Sequence, residues 1–314
     1  MGPAVLVALL VLFGSLYPDT FLTKTNLVNN VLGQVTFLAI VASVQTVVMV
    51  VGEFDLSVSG LAAFATVMCA TIINTTSLNG DPEQPGSVLL AVLLGLFIGV
   101  IGGLVNGVLV SYVGVLAFIA TLGMSVVFKS LALRWVDGKP VYGLVEDGFV
   151  QVVRGELLGV PRTIYFAGFV AVVVWFLLDH TALGRKMYAV GGNPEAARYS
   201  GIDVKRVRLI AFAIAGVGAA AAGIMQSAYN ATANTTAPEP WMLLSIASVF
   251  LGMAMFRNGR PNLLGTLLGV VLLRLLENGL NYTSLNNYIQ DALLGVAIVV
   301  AVVPPAVSRL RAAR

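Results

Sequence analysis

Unbroken apolar runs are the feature that most constrains how this chain can fold. The longest, Val88 through Val110, holds almost no polar side chain. A helix needs about 20 apolar residues to cross about 30 Å of hydrocarbon, so such runs predict transmembrane helices. An outer-membrane barrel would instead alternate apolar and polar residues in segments of about 10. The chain is 58% hydrophobic and 11% charged, whereas a soluble domain is about a quarter charged. The sequence therefore predicts an all-α, polytopic membrane protein, with residues 1–314 forming one transmembrane domain.

Counting the apolar runs between Gly, Pro, Asn and charged residues predicts about ten transmembrane helices. The opening run lacks a basic segment before it, so we interpret it as the first span and not as a signal peptide. The predicted spans are 4–17, 34–51, 56–74, 87–110, 113–133, 163–179, 207–228, 241–256, 262–277 and 288–305.

Basic residues predict which side of the membrane each connection faces. An even number of spans places both termini on one side. The segments after spans six and eight and the carboxyl tail lie on that side, and basic residues mark it as cytoplasmic. The connections 74–86, with Asp81 and Glu83, 134–162 and 230–240 are then periplasmic. Eleven of the 18 basic residues fall on the cytoplasmic side: Arg185, Lys186, Arg198, Lys205, Arg206, Arg208, Arg257, Arg260, Arg309, Arg311 and Arg314.

The segment between spans six and seven, about residues 183–206, is too polar to enter the bilayer. Asn193 is a suitable N-cap, Pro194 fits the first helical position, and Glu195 complements the positive end of a helix. Gly201 can adopt the left-handed conformation that ends a helix. The sequence predicts a short capped helix over 194–200, which must be held by packing because two turns are marginal alone.

Four segments carry a resemblance to a known family. AVGGNPEAARYSGID (189–203) resembles the cytoplasmic coupling segment of the ribose-type permeases of ABC importers. VGEFDLSVSG (51–60), LAFIATLGM (116–124) and NLLGTLLG (262–269) are similar to further segments of that family, in the same order along the chain.

The resemblance implies a permease with a type II ABC importer-like fold in a bacterial inner membrane. Its implied partners are a cytoplasmic ABC ATPase, a periplasmic solute-binding protein that delivers a monosaccharide or related polar solute, a second permease subunit, identical or different, and membrane lipid. It also implies that the coupling segment docks on the ATPase. The residues expected to do so are Gly191, Gly192, Asn193, Pro194, Glu195, Ala196, Ala197, Arg198 and Gly201.

The chain departs from the family pattern where a solute could bind. Leu243, Leu244 and Ser245 stand in a segment that usually carries two acidic residues, and Ala117 stands where a proline is common. The departures reduce the polar surface offered to a solute. A nucleoside or a branched-chain amino acid therefore stays an alternative to a sugar.

The sequence offers no catalytic set, and we predict that the chain is not an enzyme. The nearest imitation of a phosphate-binding loop, 123–130, has Phe128 where a glycine is required, so ATP hydrolysis is expected in a separate subunit. The one cysteine, Cys69, lies in an apolar run, and the one histidine, His180, lies at a helix end. No metal, cofactor or nucleic-acid partner is expected.

Polar residues at membrane depth are the candidates for a solute path, because such groups are expensive in hydrocarbon. We predict Asp55, Ser57, Asn106, Thr121 and Trp241 as path residues. Small polar groups can hydrogen-bond hydroxyls, and an aromatic ring can stack on a sugar. The alternatives are that Asp55 caps span three, that Asn106 and Thr121 bind helices together, and that Trp241 is an interfacial anchor.

Two other functional classes stay open from the residues alone. An ion-coupled secondary transporter would use Asp55, Glu277 or Asp291 to carry a proton or help bind sodium. A membrane scaffold would leave the buried carboxylates as structural pairs. Arg274 and Glu277 are three residues apart, which predicts an ion pair within one helix.

Overall fold

The computed structural model describes residues 2–75, 87–142, 146–256, 259–286, 288–297 and 299. Several residues used in the sequence argument lie outside this described part: Asp81, Glu83, Arg257, Arg309, Arg311 and Arg314.

The described residues form a helical bundle with two very short strand pairs. A π-helical segment, Thr25–Leu32, leads into α2, and a second, Leu109–Val113, extends α4; a third, Glu146–Val150, precedes α6. The α-helices are α1 (Gly2–Leu16), α2 (Gly33–Val50), α3 (Val58–Thr75), α4 (Val88–Val108), α5 (Ala117–Trp135), α6 (Gln151–Arg154), α7 (Arg162–His180), α8 (Ala182–Gly192), α9 (Pro194–Tyr199), α10 (Val204–Asn230), α11 (Trp241–Met255) and α12 (Leu263–Asn281). The strands are β1 (Val141–Tyr142), β2 (Glu156–Leu157), β3 (Val160–Pro161) and β4 (Thr232–Ala233).

Each of the first nine predicted spans coincides with a helix. Six helices are long and apolar enough to cross a membrane by length and composition: Thr25–Val50, Val88–Val113, Ala117–Trp135, Arg162–His180, Val204–Asn230 and Leu263–Asn281. Three shorter apolar helices lie at Ala4–Leu16, Val58–Asn74 and Trp241–Met255. Residues 288–297 and 299 of the tenth predicted span are helical, and the rest of that span lies outside the described residues. The all-α polytopic class is therefore confirmed.

The helix α2 forms the centre of the bundle. Every residue from Val35 to Val50 is buried, and α2 contacts α7, α10, α11 and α12. Its hydroxyl groups stay satisfied without water because they bond their own helix: Ser43 Oγ donates to the carbonyl of Ala39 at 2.6 Å. The apolar sequence of α2 thus fits a helix surrounded by other helices.

Small residues let α4 pack directly on α10. A Cβ atom at Gly99 would come within 2.6 Å of the Gly216 carbonyl oxygen, and one at Gly103 would overlap the carbonyl oxygen of Phe212. Such close contact between backbones is typical of small residues spaced four apart on membrane helices. Glycine is therefore required at these positions by packing.

The structure gathers the connections at two opposite ends of the bundle. At one end, β1 pairs with β4, and Asn74 Nδ2 donates to the carbonyl oxygen of Tyr142 at 3.2 Å. These contacts join the end of α3 to the connections after α5 and α10. At the other end, Tyr188 Oη donates to the carbonyl oxygen of Pro261 at 3.2 Å, which joins the connections after α7 and α11. The same grouping follows from the alternation of the predicted spans.

Candidate functional site

The coupling segment, about residues 183–206, contains the short helix that its sequence predicts, and a second helix that it does not. Asn193 caps α9, and its Oδ1 accepts from the backbone N–H groups of Glu195 and Ala196, both at 3.0 Å. Gly201 follows α9 with a φ of +81°, in the left-handed region that glycine favours. The unpredicted helix is α8, which precedes Asn193 and contains Gly191 and Gly192.

Most side chains of α9 are exposed. Glu195, Ala196 and Arg198 face outward, and Tyr199 has an exposed fraction of 83%. Ala197 is the exception: it is buried in an apolar cluster with Met187, Val190 and residues of α2, α7 and α10. The outward residues are thus available to a partner, whereas Ala197 anchors the segment to the bundle.

Gly191 brings α8 against the end of α2. A Cβ atom at Gly191 would overlap the carbonyl oxygen of Val50, the last residue of α2. Gly52 follows with a φ of +85°, and a Cβ atom there would lie 3.7 Å from the Cα of Gly191. This backbone contact joins the coupling segment to the 51–57 connection between α2 and α3.

An ion pair joins the same connection to the first turns of α10. Arg208 Nη2 lies 3.1 Å from Glu53 Oε1, and both side chains are largely buried. Burial raises the pKa of Glu53 above its ordinary value, and the positive charge of Arg208 opposes that rise. The 51–57 connection is therefore tied to both ends of the coupling segment, through Gly191 and through α10.

Four of the five predicted path residues meet in one buried polar cluster, consisting of Asp55, Ser57, Asn106 and Thr121. Asp55 Oδ1 accepts from the N–H of Ser57 at 2.8 Å and from Ser57 Oγ at 2.6 Å. Asn106 Nδ2 donates to Ser57 Oγ at 2.6 Å, and Thr121 Oγ1 accepts from the N–H of Leu56 at 3.0 Å. All four side chains have an exposed fraction of 0%. The cluster joins the 51–57 connection to α4 and α5.

Gln45 of α2 completes the polar cluster, and sequence reasoning missed it. With its amide assigned in the orientation that satisfies both groups, Gln45 donates to the carbonyl oxygen of Asp55 at 3.1 Å and accepts from its N–H at 3.2 Å. The available signal was a single Gln inside an apolar run, since a buried carboxamide needs partners.

The polar cluster also holds two spare acceptors. Asp55 Oδ2 and Asn106 Oδ1 are buried, and neither has a hydrogen-bond partner among the described residues. Such atoms are costly when unsatisfied, and they can accept hydrogen bonds from hydroxyl groups or water. The chemistry of the cluster thus suits a neutral solute rich in hydroxyl groups.

Trp241, the fifth predicted path residue, lies apart from this cluster. It is buried near the first turn of α11, where its ring stacks on Phe37 with centroids 6.4 Å apart. The predicted intrahelical pair is confirmed: Arg274 Nη1 lies 2.6 Å from Glu277 Oε2.

Comparison with known proteins identifies the class of this bundle. A family model described as the permease component of branched-chain amino acid transport systems matches residues 27–302. The chain belongs to this family. It is a membrane-spanning permease component of ABC importers, which work with ATPase and binding-protein partners.

Within that class, the chain belongs to the ribose-type permeases. It is 38% identical to the ribose import permease protein of Bacillus subtilis over 304 residues, covering 96% of this chain and 91% of the relative. It is 33% identical to the D-allose transport system permease protein of Escherichia coli K12 over 299 residues, covering 95% and 88%. It is 31% identical to the galactose/methyl galactoside import permease protein of Haemophilus influenzae over 313 residues, covering 95% and 92%. No solved structure matches the chain significantly.

Together, the relatives and the six long apolar helices identify a multi-pass protein of the bacterial inner membrane.

Proposed function

We propose that the chain imports a monosaccharide or a related polar solute, with energy from a separate cytoplasmic ATPase. The relatives named for ribose, allose and galactose support a sugar as the solute. The observation that carries the mechanism is the contact of Gly191 with the end of α2, because it joins an exposed segment to the polar cluster through adjacent backbone. The further partners are a periplasmic binding protein and a second permease subunit.

The proposal includes a topology of ten spans with both termini in the cytoplasm. The grouping of the connections at two ends of the bundle supports it. The exposed basic residues of the coupling segment, among them Arg185, Lys186 and Arg206, lie at the end assigned to the cytoplasm.

Cysteine labelling tests that topology. In right-side-out vesicles, a membrane-impermeant thiol reagent should label an Asp137→Cys variant and leave a Ser200→Cys variant unlabelled, and inside-out vesicles should reverse this. Both positions are exposed, and the natural Cys69 is buried and should not react. Labelling of both variants from the same side would contradict the assignment.

The coupling segment transmits the state of the ATPase to the membrane helices. ATP binding draws the two ATPase subunits together, and α9 moves with the surface on which it docks. Because Ala197 and Gly191 fix this segment to α2, α7 and α10, its movement displaces the 51–57 connection. A packed interface of this kind shifts between discrete arrangements and does not deform smoothly.

The polar cluster serves as a closed barrier on the cytoplasmic side of the solute path. Asn106 lies near the end of α4, close in sequence to the Leu109–Val113 segment, and the four cluster residues are fully buried in this conformation. Displacement of the 51–57 connection would part Ser57 from Asn106 and Leu56 from Thr121. The spare oxygens of Asp55 and Asn106 could then accept hydrogen bonds from solute hydroxyl groups.

Binding-protein-dependent uptake of labelled D-ribose into proteoliposomes tests the proposed function. The double variant Glu195→Lys with Arg198→Glu reverses two exposed charges on α9, so it should lose most ATP-dependent uptake and most of the ATPase that co-purifies with the permease. Where charged interface residues are buried against a partner, truncating or reversing them reduces the free energy of association by about 2 to 5 kcal/mol.

The matched control reverses another exposed pair with the same spacing, as Arg134→Asp with Asp137→Arg at the opposite end of the bundle. This control should retain normal co-purification of the ATPase. Uptake that persists without ATPase and follows an ion gradient would overturn the proposal in favour of an ion-coupled transporter.

A further inference from the structure

A second polar pocket lies far along the chain from the polar cluster, between the end of α12 and the last helix, residues 288–297. Its volume is about 250 Å³, and its lining combines two carboxylates, two carboxamides and two apolar side chains: Glu277, Leu280, Asn281, Gln290, Asp291 and Leu294. It is distinct from the Asp55 cluster in position and in composition, and it is open in this conformation.

The pocket lies at the end of the bundle assigned to the periplasm. α12 begins next to Pro261, whose carbonyl oxygen bonds the coupling segment, and so Asn281 is at the far end of the helix. The ring of Tyr282 lies 5.6 Å from that of Tyr17 (centroid to centroid), just after α1. The pocket therefore lies on the side from which a periplasmic binding protein would release a solute.

The surroundings of the pocket differ from the lipid-facing surfaces. Large apolar side chains are exposed along α4 and α7, as membrane lipid requires. By contrast, Asp291 is exposed within the tenth predicted span, and Asn281 is exposed at the end of α12. A carboxylate within a membrane span faces the bundle interior or a water-filled cavity and marks a solute path. A neighbouring reciprocal amide pair, between Asn26 and Asn278 at 2.9 and 3.0 Å, extends the polar character to the segment before α2.

The charges of the pocket favour a neutral ligand that carries several hydroxyl groups. Arg274 pairs with Glu277 at 2.6 Å and compensates its charge, which leaves the pocket with the charge of Asp291 alone. A divalent cation such as Ca²⁺ takes six to eight oxygen ligands and favours a site of higher negative charge. Carboxylates accept hydrogen bonds, carboxamides both donate and accept them, and Leu280 and Leu294 offer apolar contact. This combination matches a sugar.

We propose that this pocket, hereafter the periplasmic pocket, is the first solute-binding site of the permease and that it takes a monosaccharide on release from the binding protein. The inference rests on the proposed function as a sugar importer. It assigns sugar-binding roles to Asn281, Gln290 and Asp291. It also assigns one to Glu277, whose carboxylate is oriented by Arg274.

Single cysteine variants in the intact transporter test this assignment. Asp291→Cys and Asn281→Cys should react with a membrane-impermeant thiol reagent added outside, and D-ribose, D-allose or D-galactose at high concentration should slow the reaction. The matched control is Leu293→Cys, on the same helix but outside the lining of the pocket, and sugar should not change its rate of reaction. The natural Cys69 is fully buried in α3 and gives little background.

Uptake provides the second measurement. Asp291→Asn should reduce the initial rate of uptake by about tenfold or more, because it removes one charge-assisted hydrogen bond to the sugar. The amount of ATPase that co-purifies with the variant should match that of the wild type, because the coupling segment lies at the other end of the bundle, and this checks that the variant is folded and assembled. If the wild type shows no ATP-dependent sugar uptake, the proposed function itself fails.

Two results would overturn the periplasmic pocket alone while the wild type still transports. One is full uptake by Asp291→Asn together with labelling of Asp291→Cys that no sugar slows. The other is a disulfide between two copies of the Asp291→Cys variant, with no labelling, which would show that this surface is a contact between permease subunits.

Discussion

Replacing Gly191 with alanine should abolish most ATP-dependent uptake while the permease still reaches the membrane. The added methyl group overlaps the carbonyl oxygen of Val50, and neither backbone can yield without moving α8 away from α2. Overpacking of this kind costs about 1 to 3 kcal/mol. Applied to the equilibrium between two conformations, that energy changes the ratio of their populations by about five- to 150-fold. Uptake into proteoliposomes and ATP hydrolysis, measured together, report the expected uncoupling.

Gly168→Ala is the matched control, because it makes the same change in α7, where nothing lies within 4 Å of the added Cβ atom. It should transport like the wild type. Size-exclusion profiles and thermal unfolding of both variants in detergent separate uncoupling from misfolding. Normal uptake by the Gly191→Ala variant would show that α8 does not bear on α2 in the working transporter.

The coupling segment illustrates what local sequence can predict. The cap of α9 depends on Asn193, Pro194 and Gly201, which lie within a few residues of one another, and the structure confirms each of their predicted conformations. The helix α8 escaped prediction because its sequence ends in two glycines and carries mixed polarity. It is held instead by tertiary burial of Met187 and Val190 against distant helices.

The polar cluster depends on contacts that no local pattern contains. Asp55 and Ser57 are close in the sequence, and Asp55 bonds the N–H of Ser57, the residue just before α3, and not an N–H of the helix itself. For Asn106 and Thr121, the sequence offers only the chemistry of their side chains. That they share one site with Asp55 follows from the packing of α3 against α4 and α5, which is decided by side chains along the whole of those helices.

Trp241 and Asp291 show that the type of a single residue does not reveal what surrounds it in the fold. The large aromatic ring of Trp241 suggests a surface on which a sugar could stack. In the structure, the ring packs on Phe37 inside the bundle. The sequence indicates Asp291 only as a carboxylate that could carry a proton or help bind sodium. Its place in the periplasmic pocket depends on how the last helix meets α12, which the sequence of neither helix reveals.

The two polar sites and the coupling segment fit one sequence of events. The periplasmic pocket includes exposed side chains, Asn281 and Asp291, whereas the four side chains of the Asp55 cluster are fully buried. The 51–57 connection contacts the coupling segment and also supplies two residues of the buried polar cluster. A ligand or ATP can shift this equilibrium only through contacts that differ between the two conformations, and we predict that the contacts of Gly191, Glu53 and Ser57 are among them.

The variant Asn106→Asp should be the most damaging single change in the polar cluster. In the wild type, Asn106 Nδ2 donates to Ser57 Oγ, and Ser57 Oγ donates its one hydrogen to Asp55 Oδ1. An aspartate at 106 has no amide hydrogen to donate, so Ser57 would face two buried carboxylates with one proton. The added carboxyl group must either keep a buried, uncompensated charge, which costs about 3 to 5 kcal/mol, or take up a proton.

Asn106→Ala is the matched comparison, since it removes the same donor without adding charge. It should cost about 1 to 3 kcal/mol, the penalty of leaving buried Ser57 Oγ without its donor. The midpoint of thermal unfolding in detergent should therefore fall in the order wild type, Asn106→Ala, Asn106→Asp, and uptake should follow the same order. If Asn106→Asp were as stable as Asn106→Ala at high as well as neutral pH, protonation could not explain the result, so the second carboxylate would have to reach water and the cluster would not be a dry barrier.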